Sequence, residues 1–155
     1  MTEKSIQDGI QDTLQSMTEF ADADVVVNDW SILDRGSTAA PYVIIENSDS
    51  FTSTQGTMTG NVSYEIPVTL VEAFSALKGW KTTLDNFLTR RDAIITKYNA
   101  VGSARAANGI AAVDIHTIRT DGPPEPWYRG EVDPTMSNPT YYIQRFIFEV
   151  DEGWG

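Results

Sequence analysis

The chain has 155 residues, no cysteine, a single histidine, and 11 basic against 22 acidic residues, a net charge of −11. That length fits one domain able to bury roughly two-thirds of its unfolded surface. The missing thiols exclude disulfides, thiolate metal sites and sulfur redox chemistry and fit a cytosolic origin better than a secreted one, while the acidity opposes a surface built to neutralise phosphate.

Residues 3 to 21 place Ile6, Ile10, Leu14, Met17 and Ala21 at helical steps, with Glu3, Asp8, Gln11, Asp12, Gln15 and Glu19 on the other face, so an amphipathic helix is expected there. No apolar run stands behind the charges of Met1 to Gln7, and no stretch of about eighteen apolar residues follows anywhere, so neither a signal peptide nor a membrane span is expected. From Asp24 to Leu33 the run Val25, Val26, Val27 with Trp30 and Ile32 reads as a strand, closed by turn residues Asp34 to Ser37. Pro41 to Glu46 reads as a second strand.

Nine of the fourteen residues from Asn47 to Gly60 are Ser, Thr or Gly, which reads as a flexible loop. The strand that follows, 61 to 72, alternates Val62, Tyr64, Ile66, Val68 and Leu70 with Ser63, Glu65, Pro67, Thr69 and Val71, the pattern of a half-buried antiparallel strand. Pro67 lacks a ladder donor, which predicts an edge position or a bulge. Strands 41 to 46 and 61 to 72 are expected to form one long hairpin.

Gly79 to Ala100 carries Trp80, Leu84, Phe87, Leu88, Arg91, Ile94, Ile95 and Tyr98 at helical spacing, with Val101 and Gly102 as the stop. After the Asn108-Gly109 turn, Ile110 to Thr120 reads as a strand with Val113 and Ile115 facing in and Asp114 and His116 facing out. Asp121 to Pro139 holds five of the seven prolines and reads as an extended connection. Tyr141 to Val150 is the last strand. The expected class is α+β: one mostly antiparallel five-stranded sheet, order α-β-β-β-α-β-β, with both helices packed on it as a single domain.

Catalytic patterns are thin. A nucleophilic triad has only His116 to build on, paired with Asp114, and no Gly-x-Ser-x-Gly elbow accompanies it. Zinc would need two or more Cys or His at fixed spacing. The acidic pairs Asp22 with Asp24 and Glu131 with Asp133 lack the calcium-loop pattern, and no phosphate-binding glycine motif occurs. Asn61-Val62-Ser63 matches a glycosylation sequon, read as chance without a secretion signal. No catalytic, cofactor-binding or metal-ligating residue is therefore expected.

Partner contacts have better candidates. Lys78, Lys81, Arg90, Arg91, Lys97 and Arg105 stand against Asp85 and Asp92 alone, a local balance of +4 on a chain whose remainder carries −15. A basic element on an acidic body suits head-to-tail pairing of copies, with Arg90 and Arg91 as contacts; a solvated helix face explains the charge equally well. Phe51 and Met58 in the Ser/Thr/Gly loop, Trp127 and Tyr128 in the Pro-rich connection, and Trp154 near the C terminus are large apolar groups where a core does not need them, and so are candidate docking residues. Folding back onto the parent domain is the alternative, strongest for Trp127 and Tyr128.

The element order, the hairpin around residues 47 to 60, and the stretch Tyr64-Glu65-Ile66-Pro67-Val68 leading into Trp80 to Tyr98 resemble the tail terminator, or tail completion, proteins of tailed bacteriophages over nearly the whole chain. The resemblance implies a non-enzymatic virion protein of the tail or neck, assembled in the host cytoplasm. In that family a ring, commonly of six copies, caps the tail tube and offers the docking surface for the DNA-filled head. Its implied partners are further copies of itself, the tail tube protein and a head-closure protein, with no membrane and no cofactor. DNA would pass through without specific binding; six copies at −11 each carry −66, a charge that repels phosphate. Another neck component, a head-closure or adaptor protein, is the nearest alternative. A small hydrolase using Asp114 and His116, or a carbohydrate-binding module using the tryptophans, comes from a different class.

Overall fold

A computed structural model describes residues 3–31, 41–48, 51–54, 61–74, 79–98, 114–127 and 141–153. Helix α1 spans Glu3–Gln15, and α2 spans Gly79–Tyr98. The strands are β1 Asp24–Val27, β2 Tyr42–Ile45, β3 Phe51–Thr54, β4 Asn61–Ala73, β5 Asp114–Trp127 and β6 Tyr141–Gly153. They form one mixed sheet in the order β1-β2-β4-β6-β5, with β3 paired to β4 beyond the end of β2. With both helices this is an α+β fold.

The spine is the β4–β6 pair, in continuous antiparallel register from Asn61 opposite Gly153 to Ala73 opposite Tyr141. β2 pairs antiparallel with β4, as the expected hairpin requires. The sheet departs from the antiparallel expectation at β1, which runs parallel to β2 from Asp24 opposite Tyr42 to Val27 opposite Ile45. Asp24 N donating to the Pro41 carbonyl and Asn28 N donating to the Ile45 carbonyl, both at 2.9 Å, extend that pair at each end.

The main core lies between the sheet and the helices. Ile6, Ile10 and Leu14 of α1 and Phe87 and Ile94 of α2 are fully buried against Val43, Ile45, Ile66, Val68, Leu70, Phe146 and Phe148. Each such side chain contributes about 1.5–3 kcal/mol by leaving water. The predicted first helix runs to residue 21, but α1 stops at Gln15 and a 3-10 turn, Thr18–Phe20, follows. Ser16 ends the helix by donating its Oγ to the Thr13 carbonyl at 2.7 Å, and the tighter turn then drops Phe20 into the core.

Pro67 is neither at an edge nor in a bulge. β2 registers with Val68–Val71 and β3 with Asn61–Tyr64, so residues 65 to 67 fall in the gap between those two partners. The Pro67 carbonyl accepts from Glu46 N at 2.8 Å, so its missing N–H faces the same gap, where it would have met the Glu46 carbonyl. Gln7 of α1 supplies the donor instead, its Nε2 reaching that carbonyl at 2.8 Å.

Nor is β4 half-exposed. Pro67, Thr69 and Val71 on its second face are buried, and Val71 joins Tyr42, Ile44 and Tyr141 in a smaller cluster against which Val26, Ala73, Trp127 and Ile143 pack. Further along that face Arg145 pairs with Glu46 at 3.0 Å, and Thr69 Oγ1 donates to the same carboxylate at 3.2 Å.

The Pro-rich connection begins as strand, since β5 continues to Trp127. A register shift between Asp121 and Glu125 absorbs Gly122, Pro123 and Pro124, and Gly122 takes a φ of 83° that glycine tolerates best. Buried Gln144 lies opposite and donates its Nε2 to the Gly122 carbonyl at 2.9 Å.

Candidate functional site

Among the described residues a groove lies between α2 and the chain just beyond α1. Ser16, Met17, Thr18 and Glu19 form one wall and Thr89, Asp92, Ala93, Thr96 and Lys97 the other, around about 490 Å³. It adjoins a smaller hollow of about 150 Å³ at Glu19, Asn86, Thr89 and Arg90. Small side chains explain the space: Thr89, Ala93 and Thr96 recur at helical steps, so the α2 backbone faces the turn without large groups between. Met17 and Ala93 supply apolar surface, and the carboxylates of Glu19 and Asp92 stand exposed at the rim.

Arg90 fixes one end of this groove. Its Nη1 donates to the buried Glu72 carboxylate on β4, and its Nε donates to the Glu19 carbonyl at 3.2 Å. The side chains are 19% and 7% exposed, so Arg90 acts within the domain and the fold accounts for its charge. Arg91 is half-buried and spans to its neighbour Asp92 at 3.0 Å.

The remaining sequence-predicted contacts are scattered. Trp127 ends β5 and packs on Tyr141, with ring centres 5.6 Å apart, so it folds back on its own domain. Phe51 opens β3 opposite Tyr64, so part of the predicted loop is strand. Met58, Tyr128 and Trp154 lie outside the described residues, as do Glu131, Asp133 and the turns at 34 to 37 and 108 to 109. The Asp114–His116 pair relied on unbroken alternation, but β5 shifts register between Ile115 and Thr117, where His116 is the extra residue.

Trp80 shares the helical spacing of Phe87 and Ile94, which are fully buried, yet it is 59% exposed. Lys81 beside it is exposed as well. The one available signal was the position of Trp80 in the first turn, directly after Gly79. Among the described residues no group of three or more His, Cys, Asp or Glu is arranged to hold a metal ion, and no helix is long and apolar enough to cross a membrane. No protein-family model matches the chain, and no curated protein does.

Proposed function

We propose that this chain is a structural virion protein of a tailed bacteriophage: a tail terminator that assembles as a ring, caps the tail tube, ends its growth and presents the docking surface for the head. The observation that carries the reading is the element order. A first helix, the antiparallel strands β2 and β4, the long α2, and the β5–β6 pair follow one another as in the resemblance, with the extra strand β3 between β2 and β4 and a parallel β1 as departures from it. Charge supports it, since an acidic ring lets DNA slide past without adhering. The ring is taken as six copies, with the tube protein on one side and a head-closure protein on the other. On this reading the protein performs no catalysis and resides in the virion neck.

Gold-labelled antibody against the chain tests it on purified virions. Label at a single position between head and tail is the expected result, and its offset along the neck separates a terminator from a head-closure or adaptor protein. Virions without label would leave the hydrolase and carbohydrate-binding readings to be tried on substrate and glycan panels.

A further inference from the structure

Two parts of α2 present distinctive surface. At its first turn Trp80 is the more exposed of the two exposed large apolar side chains among the described residues. Lys81 next to it has no ion-pair partner there. In the second half of the helix lies the groove, with Met17 and Ala93 as its apolar surface, and with two carboxylates, Glu19 and Asp92, against the one ammonium group of Lys97 in its lining. Glu19 likewise has no side-chain ion pair among the described residues, and the only one Asp92 has there is with the adjacent Arg91.

We infer that the groove receives Trp80 and Lys81 of a second copy of this chain. The indole covers Met17 and Ala93, and the ammonium group sits between the carboxylates of Glu19 and Asp92. Three observations converge on this occupant: an apolar group that no described residue covers, a hollow that no described residue fills, and opposite charges beside each. Tryptophan is the residue type that most often dominates such contacts, because one side chain buries a large area with few rotamers lost.

Trp80 and the floor of the groove sit on different sides of the helix. Trp80 shares its side with Phe87 and Arg91, seven and eleven residues on, whereas Thr89, Ala93 and Thr96 face away from it; Lys81 shares its side with Asp92, also eleven residues on. Used head to tail, with each copy giving its indole to the next, such a contact is heterologous, and it makes a ring where the rotation between copies closes. The inference thus rests on the ring reading and names the residues that would join its copies.

Sedimentation of the purified chain over a range of concentrations up to millimolar provides the test, with Trp80→Ala as the lost knob, Ala93→Trp as the filled socket, and Glu19→Lys as a second socket variant that leaves the packing alone. Wild type should form species larger than a dimer. Each variant alone should weaken self-association by about thirtyfold or more. Trp80→Ala mixed with either socket variant should give a one-to-one dimer, since one intact knob and one intact socket remain. Wild-type assembly left unchanged by all three substitutions would overturn this contact and leave the ring reading standing; a wild type that stays monomeric throughout would overturn both.

Discussion

Arg90 on α2 donates to the buried carboxylate of Glu72 on β4, and its Nε donates to the Glu19 carbonyl at 3.2 Å, so one guanidinium joins helix, turn and sheet. Removing one partner strands the other charge in a poorly solvated place. Arg90→Met is expected to cost about 3 kcal/mol in urea unfolding, and Arg90→Met with Glu72→Leu to regain most of it, because an apolar pair carries no unmet charge. A double variant as unstable as the sum of the singles would show that the pair is not coupled.

The gap at Pro67 yields a second prediction. Gln7→Ala removes the donor to the Glu46 carbonyl and is expected to cost about 1–2 kcal/mol. Adding Pro67→Ala to that variant returns a backbone N–H on the correct side, so the double variant should recover part of the loss. Measured in a double-mutant cycle, the coupling should be positive; strict additivity would mean that Gln7 does not stand in for the missing N–H.

Phe87 and Trp80 lie seven residues apart on one side of α2 and should behave in opposite ways. Fully buried Phe87 replaced by Ala should cost about 3–5 kcal/mol. Trp80→Ala should change monomer stability by less than about 1 kcal/mol, since most of the side chain is already in water. Thermal unfolding of both variants decides this, and a large loss for Trp80→Ala would return that residue to the core.

Gly122 is predicted to be replaceable on space but not on backbone. Nothing lies within 4 Å of an added Cβ, yet its φ is 83°. Gly122→Ala should therefore lose about 1–2 kcal/mol from conformation alone. A neutral result would mean that the bulge relaxes.

Much of the core was legible because it is periodic. Ile6, Ile10 and Leu14 recur at helical steps, and residues 62 to 70 alternate, so their buried faces follow from the chain alone. What escaped depends on contacts between distant segments. The parallel pairing of Asp24–Val27 with Tyr42–Ile45 leaves no local mark. Phe51–Thr54 looks like loop by composition but becomes strand by pairing with Asn61–Tyr64, as a Thr-rich segment can. Three residues of Gly-Pro-Pro, read as the start of a connection, are absorbed into β5 by one register shift. The candidate contacts fared similarly: counting charges could not reveal that Arg90 is consumed by Glu72, and periodicity assigns Trp80 a side of the helix without saying whether anything packs there.

The central claim, a ring that ends a phage tail, is tested most directly by deleting the gene from the phage genome that carries it and viewing the lysate by negative-stain electron microscopy. The account predicts DNA-filled heads without tails beside free tubes of uncontrolled length, with joining restored when the protein is supplied in trans; intact, infectious virions in the deletion lysate would contradict it.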